Sequence, residues 1–402
     1  MERKTVKPRR ISLSDLGREP FRVFFPEGVL AGLIGVALWP LHFGGVLELY
    51  PNIAHARIMA FGLFGAFIMG FLGTAMPRML SANPLKSVQV LLLLGLHLAM
   101  VLSFAAGKIM WGDTLLLALL VCFATLMAVR AMQRKDLPPP GFVLVFLAFL
   151  CVLSGAILAL WLSYQVRQGE EINSVWVSLQ RLFSYQGFVL LPILGIGPFI
   201  LPRFFGMQSA HDLPEALKPT AAWSRKALTA LAAGVLIVGS FFLEAWGWYR
   251  TAHAIRFVTT LVYLALEFPF RNAPNARSAL GASLRIAFIT LLAGFLTIIF
   301  WPEFRTGLLH LTLVGGFAVI TFVVATRVVF GHSGNLDKLK DRNRWLLWAV
   351  GLMLFAMATR ISGDFWPKIL VSHYNYGALV WAIGVAIWAW KVLPKVLEAE
   401  DE

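Results

Sequence analysis

The chain carries eight histidines, and five of them, His42, His55, His253, His310 and His373, stand at the ends of long apolar runs. Histidine is the commonest protein ligand for metals and serves as axial ligand to haem iron, so imidazoles gathered at one level point to a metal centre there. The plainer reading is that a helix end is interfacial and tolerates an isolated histidine. Of the other three, His97 lies mid-run, His211 falls in a polar connection, and His332 closes the run that His310 opens. On one continuous helix, the 22 residues between His310 and His332 span roughly 33 Å. They cannot share a metal, and if both are ligands there are two sites on opposite sides of a membrane.

Arginines form the second set: Arg57, Arg285, Arg327 and Arg360 lie within or just inside apolar runs. A charge at the bilayer centre costs about 2.5–3.5 kcal/mol on insertion scales, so each has to be explained. Arg57 and Arg327, near run ends, can snorkel to an interface. Arg285 and Arg360 would have to pair with haem propionates, with an anionic substrate, or with Glu267 or Asp364. Carboxylates inside the runs are too few for a proton-relay chain.

These residues need helices to position them. Of 402 residues, 58% are hydrophobic and 14% charged, with a mean hydropathy of +0.74. A soluble domain carries roughly 25% charged residues, so much of this surface must face lipid. Apolar windows of spanning length recur at 22–46, 57–77, 87–107, 111–131, 141–164, 181–205, 222–243, 251–270, 279–300, 306–330, 345–362 and 371–393. Lipid offers no hydrogen-bond partners to irregular backbone, so these spans must be helical. The expected fold is an all-α integral membrane bundle of about twelve transmembrane helices over 22–393. A basic N-terminal segment, 1–21, precedes it and an acidic tail, 394–402, follows. No internal repeat is evident.

The net charge of +14 does not indicate nucleic acid, because the cations sit in short clusters between spans. Placing both termini in the cytoplasm puts 24 of the 35 Lys and Arg on that side, as the positive-inside rule requires. All five run-end histidines then fall on the outer side. Cys122 and Cys151, both inside apolar runs, read as small buried hydrophobes. The abundant small residues, as in GLFGAFIMGFLG from Gly62 to Gly73, suit close helix contact. Pro192, Pro198 and Pro202 should bend the sixth span and free carbonyls inside the bundle.

Two stretches resemble the NnrS family, bacterial membrane proteins associated with haem, copper and the nitric oxide response. One comprises FRVFFPEGVLAGLIGVALWPL and HARIMAFGLFGAFIMGFLGTAMPRM, Phe21–Leu41 and His55–Met79. The other is LLHLTLVGGFAVITFVVATRVVFGHSG, Leu308–Gly334, with its histidine, Thr326-Arg327 and Gly331-His332-Ser333-Gly334. The resemblance implies a haem-binding, or copper-binding, multi-pass protein of the bacterial inner membrane that meets nitric oxide or a related small molecule under nitrosative stress. An electron-transfer partner is unknown. It implies cofactor contacts at His55, His310, His332, Arg57, Arg285 and Arg327, with the three histidines as metal ligands and Arg57 against a propionate.

The chain departs from the family pattern in four places. Arg57 and Ile58 replace the second histidine and the glutamate of a His-x-His-Glu motif. Arg285 replaces a histidine in the ninth span, and Asn335 a closing arginine. Arginine stays protonated and cannot ligate a metal. Either the metal complement is reduced, or His42, His253 or His373 substitutes, or an anion binds where relatives bind metal. A carrier or channel for a small anion or metal ion, using the buried arginines, is the rival reading. An assembly subunit whose polar residues only hold helices together is a third. Catalysis is not legible from these residues.

Overall fold

The first and last described residues of the chain meet. In a computed structural model that describes residues 9–268, 278–339 and 342–399, Arg9–Arg10 (β1) pairs antiparallel with Glu398–Ala399 (β2), Arg9 opposite Ala399. Arg3, Lys4, Lys7, Arg271, Arg277 and Lys340 of the predicted basic face, the end of the predicted 251–270 span and the acidic tail from Glu400 lie outside those residues. Eleven described helices are long and apolar enough to cross a membrane: α1 (Phe21–Phe43), α2 (Asn52–Met79), α3 (Ser87–Ala105), α4 (Ile109–Met132), α5 (Phe142–Gln168), α6 (Ser174–Phe205), α7 (Ala221–Ala245), α9 (Ala279–Phe300), α10 (Pro302–His332), α11 (Arg344–Phe365) and α12 (Pro367–Leu397). Tyr249–Glu267 (α8), 19 residues long, carries Arg250, His253, Arg256 and Glu267 and is less apolar. Termini on one face require an even number of crossings, so α8 is the twelfth span. The face that carries the termini is called the terminal face below, and its opposite the far face.

Several spans are longer than their hydropathy. α6 begins at Ser174 rather than near 181, because SVWVSLQR forms about two amphipathic turns capped by Asn173, whose side chain accepts from the Val175 amide. α2 begins at Asn52, which brings His55 onto the helix.

The helices form three groups of four with one repeated contact pattern. Within each group the first helix packs on the second (α1 on α2, α5 on α6, α9 on α10) and the third on the fourth (α3 on α4, α7 on α8, α11 on α12). The fourth then packs on the first of the next group, and α12 closes the ring on α1. That closure is what brings the termini together. The second helix of each group lies inside: 78% of the apolar window of α2 and of α6 and 61% of that of α10 is buried, against 33% for α3.

Each of these inner helices carries a π-helical stretch: Ile58–Phe64 in α2, Leu182–Gly187 in α6 and Leu311–Ala318 in α10. Such stretches are rare and concentrate at functional sites. In α5 and α9 a glycine meets the stretch, since a methyl on Gly155 would collide with Ser184 Oγ and one on Gly294 with Thr312 Oγ1. The expected close packing of the Gly62–Gly73 run is present as well, with Gly62 against Ala31 and Gly70 against Phe21 and Phe24. Pro202 leaves the Pro198 carbonyl without its helical donor, and Ser209 Oγ donates to it at 2.9 Å.

Candidate functional site

Of the five far-face histidines, the fold relates two through one shared arginine. His55 sits on the first turn of α2, just above its π-helical stretch, and His310 is the residue that enters the stretch of α10. His55 and His310 lie within electrostatic reach of each other and of Arg360 on α11. Two turns deeper, α2 and α10 touch through Phe64 and Phe317, ring centroids 6.2 Å apart.

Both rings are anchored in the same way. His55 Nδ1 lies 2.9 Å from the Gly35 carbonyl of α1; His310 Nδ1 lies 3.0 Å from Thr306 O and 3.2 Å from Gly307 O. A carbonyl only accepts, so each Nδ1 bears the proton and each Nε2 keeps its lone pair. No described protein group takes either Nε2. An imidazole pinned through Nδ1–H to a backbone carbonyl is the arrangement in which Nε2 serves a metal.

The surroundings are aromatic with one cation. Trp39 meets His55 edge-on at 5.7 Å and Tyr374 at 5.0 Å. The Arg360 guanidinium stacks 3.8 Å from the Tyr374 ring centre and donates to Asp364 Oδ1 at 2.6 Å, which also accepts from the Tyr374 hydroxyl at 3.0 Å. Gly307 lets the start of α10 press on this group, since a methyl there would come 2.7 Å from Asp364 Oδ2. The sequence paired Arg360 with Asp364 as one option, and that pairing is present. Trp39, Tyr374 and Gly307 went unnoticed, and only their places at the mouths of α1, α12 and α10 could have marked them.

The remaining predicted residues are elsewhere. Arg57 forms a closed, buried ion pair: Nε and Nη2 donate to Asp113 Oδ1 (2.5 Å) and Oδ2 (2.8 Å) on α4, and Nη1 to the Tyr185 hydroxyl of α6 at 3.3 Å. That clamp ties α2 to α4 and α6 and commits the side-on edge of the guanidinium to Asp113. His332, at the terminal face, contacts Glu19 Oε1 through Nδ1 at 2.5 Å, and Arg78 Nη1 lies against its ring, 3.0 Å from Nδ1 and 3.2 Å from Nε2. With Nδ1–H given to the carboxylate and a guanidinium on the ring, His332 is part of an ion network. Arg327 lies on that face too, over the Phe204 ring at 5.0 Å. Arg285 is half-buried near the terminal end of α9, far from the histidine pair.

The possible substitutes divide. His253 is fully buried in another cluster, with Glu244 Oε2 3.3 Å from its Nε2 and Arg256 on the same carboxylate. His42 and His373 are bound through Nδ1 to Leu47 O (2.9 Å) and Ile369 O (3.0 Å). His42 joins the aromatic wall through Tyr50, which touches Trp39. Among the described residues, these carboxylates within the spans each have a basic partner: Asp113 with Arg57, Glu244 with Arg256, Glu27 with His97, and Glu267 with His211 and Lys226 rather than Arg285. Among the described residues no three His, Cys, Asp or Glu side chains gather as a metal cage. The far-face imidazoles within reach of each other are therefore His55 and His310, a pair that could hold a haem iron but lacks the third donor a copper site would use.

Fold and site define a class: a multi-pass helical membrane protein with paired imidazoles at one face and an ion network around His332 at the other. The chain belongs to the NnrS family, whose model, described as NnrS protein, matches residues 15–399. No curated protein matches it.

Proposed function

We propose that this protein is a haem-binding NnrS protein of the bacterial inner membrane, in which His55 and His310 would hold the haem iron and both termini lie in the cytoplasm, acting in the response to nitric oxide. The observation that carries the reading is the pair of imidazoles, each fixed through Nδ1 to a backbone carbonyl with Nε2 free. A haem supplies one-electron and small-molecule chemistry that side chains lack. The chain's own part is to orient the rings through Gly35, Thr306 and Gly307, to wall the site with Trp39 and Tyr374, and to offer the Arg360 charge to a propionate. Arg360 takes the role that the sequence suggested for Arg57. Copper is kept only as a test, because two imidazoles without a third donor form a weak set for it.

Protein purified from a haem-replete host should show a Soret band that His55→Ala and His310→Ala each abolish. No band in the parent protein, by absorption and metal analysis, removes haem from this reading. A band kept by both variants removes the ligand assignment. Fusing a reporter that is active on only one side of the membrane to the C-terminus tests the orientation.

The rival reading, a carrier for small anions, draws on the terminal-face arginines. The cavity above them is lined by Phe67, Phe71, Ile196 and Val324, which opposes passage of a bare anion. Gradient-driven anion uptake by reconstituted protein would favour the carrier.

A further inference from the structure

The terminal ends of the three inner helices each present an arginine at the same place. Arg78 follows Pro77 at the end of α2, Arg203 follows Pro202 at the end of α6, and Arg327 follows Thr326 in the last turns of α10. They converge on one cavity of about 530 Å³, which Arg9, Arg18 and Arg22 also line. The paired termini help form its rim, since Ala399 lines it and Arg22 Nη1 donates to Val396 O at 2.5 Å and Glu398 O at 2.7 Å.

Most of these cations have a carboxylate. Arg9 pairs with Asp15, Arg22 and Arg78 share Glu19, and Arg203 donates to Asp212 at 2.5 Å. Arg327 does not: among the described residues it has no hydrogen bond or ion pair, only the Phe204 ring. Arg203 stands within electrostatic reach of it, a like charge on a half-buried site. Arg327 thus stands in the cavity beside a like charge, with no carboxylate on it among the described residues. A guanidinium held in this way inside a cavity, rather than on a convex surface, is matched by an anion that enters it.

We propose that this basin binds a phosphate group, with Arg327 and Arg203 as its principal donors and Arg78 at the mouth. Planar guanidinium forks match phosphate oxygens two at a time, which a lysine cluster would not. The group comes either as a free phosphate anion or as the head of an anionic phospholipid. An apolar cavity of about 100 Å³, lined by Phe67, Phe71, Pro192, Ile200, Ile320 and Val324, adjoins the basin through Phe71 and Ile200 and could receive the start of a lipid tail. The site lies a membrane's thickness from His55 and His310 and does not depend on haem.

The test uses the full chain purified in an uncharged detergent, with pyrophosphate as the free-anion probe. Pyrophosphate should raise the Tm of the parent protein. Arg327→Gln and Arg203→Gln should each weaken binding by about 10- to 100-fold, the loss expected for a charge-assisted contact. Lys368→Gln, an exposed cation on the far face, should bind as the parent does. Arg327→Lys, which keeps the charge without the fork, should fall between. The lipid arm is native mass spectrometry after exposure to mixed phosphatidylglycerol and phosphatidylcholine. Selective phosphatidylglycerol retention that Arg327→Gln abolishes, without a pyrophosphate response, supports the proposal and names the lipid as the source. If Arg327→Gln fails to fold, Arg203→Gln, whose side chain is more than one-third exposed, carries both arms. Binding of neither probe, or equal binding by the parent and both glutamine variants, overturns it.

Discussion

The two ends of α10 carry histidines of opposite character. His310 gives Nδ1–H to backbone carbonyls of its own helix and keeps Nε2 free, whereas His332 gives Nδ1–H to Glu19 and carries the Arg78 guanidinium against its ring. Both match histidines of the family pattern, and they share one helix. The difference lies in what faces each ring: on the far side carbonyls, aromatics and a single guanidinium; on the terminal side a carboxylate among arginines. An imidazole is available to a metal when the protein satisfies only one of its nitrogens. The same contrast separates Arg57 from Arg360, one locked to Asp113 in a bidentate pair, the other holding a single carboxylate oxygen at 2.6 Å beside the histidines.

The largest effect is expected from breaking that lock. Asp113→Ala leaves the Arg57 charge buried without its partner, which should destabilise the protein by about 3–5 kcal/mol. The joint Arg57→Met, Asp113→Leu variant should recover most of that loss. Thermal unfolding in detergent measures both, and a milder loss for Asp113→Ala than for the double variant would show that Arg57 has another partner.

A smaller effect is expected at the other end. Burial pushes the Glu19 carboxyl up, but His332, Arg22 and Arg78 outweigh it and hold the group at about 2, below its ordinary 4.5. A carboxylate with a depressed folded-state value stabilises the fold above its unfolded value, and that contribution is lost as pH falls through the folded one. Stability should therefore decline between pH 4.5 and about 2, and Glu19→Gln should remove that part of the decline. An unchanged acid limb would mean the network is not formed.

The smallest effect is His332→Ala. It should lower stability by about 1–2 kcal/mol, the scale of a hydrogen bond to a charged group, and leave any haem spectrum unmoved.

Much of the architecture was legible because lipid imposes it. Twelve apolar runs gave twelve helices, and the residue count along α10 alone put His310 and His332 on opposite faces. α8 and the first turns of α6 were harder, because Arg256 and the amphipathic SVWVSLQR lower the local hydropathy that marks a span. The threefold grouping stayed hidden, since it resides in how helices pack and survives in sequence only as Pro77-Arg78, Pro202-Arg203 and Thr326-Arg327. At the candidate site, chemistry and the resemblance singled out His55 and His310, and the fold brings the two within reach of each other. The partner of Arg57 was not legible, because Asp113 is 56 residues away and nothing local links them. Arg57 therefore read as a propionate contact, whereas the fold pairs it with Asp113.

The account stands most directly on one absorption spectrum taken across four proteins: the parent, His55→Ala, His310→Ala and His332→Ala. It predicts a Soret band in the parent and in His332→Ala, and none in the two far-face variants. A band that survives in His55→Ala and His310→Ala but disappears in His332→Ala would contradict it.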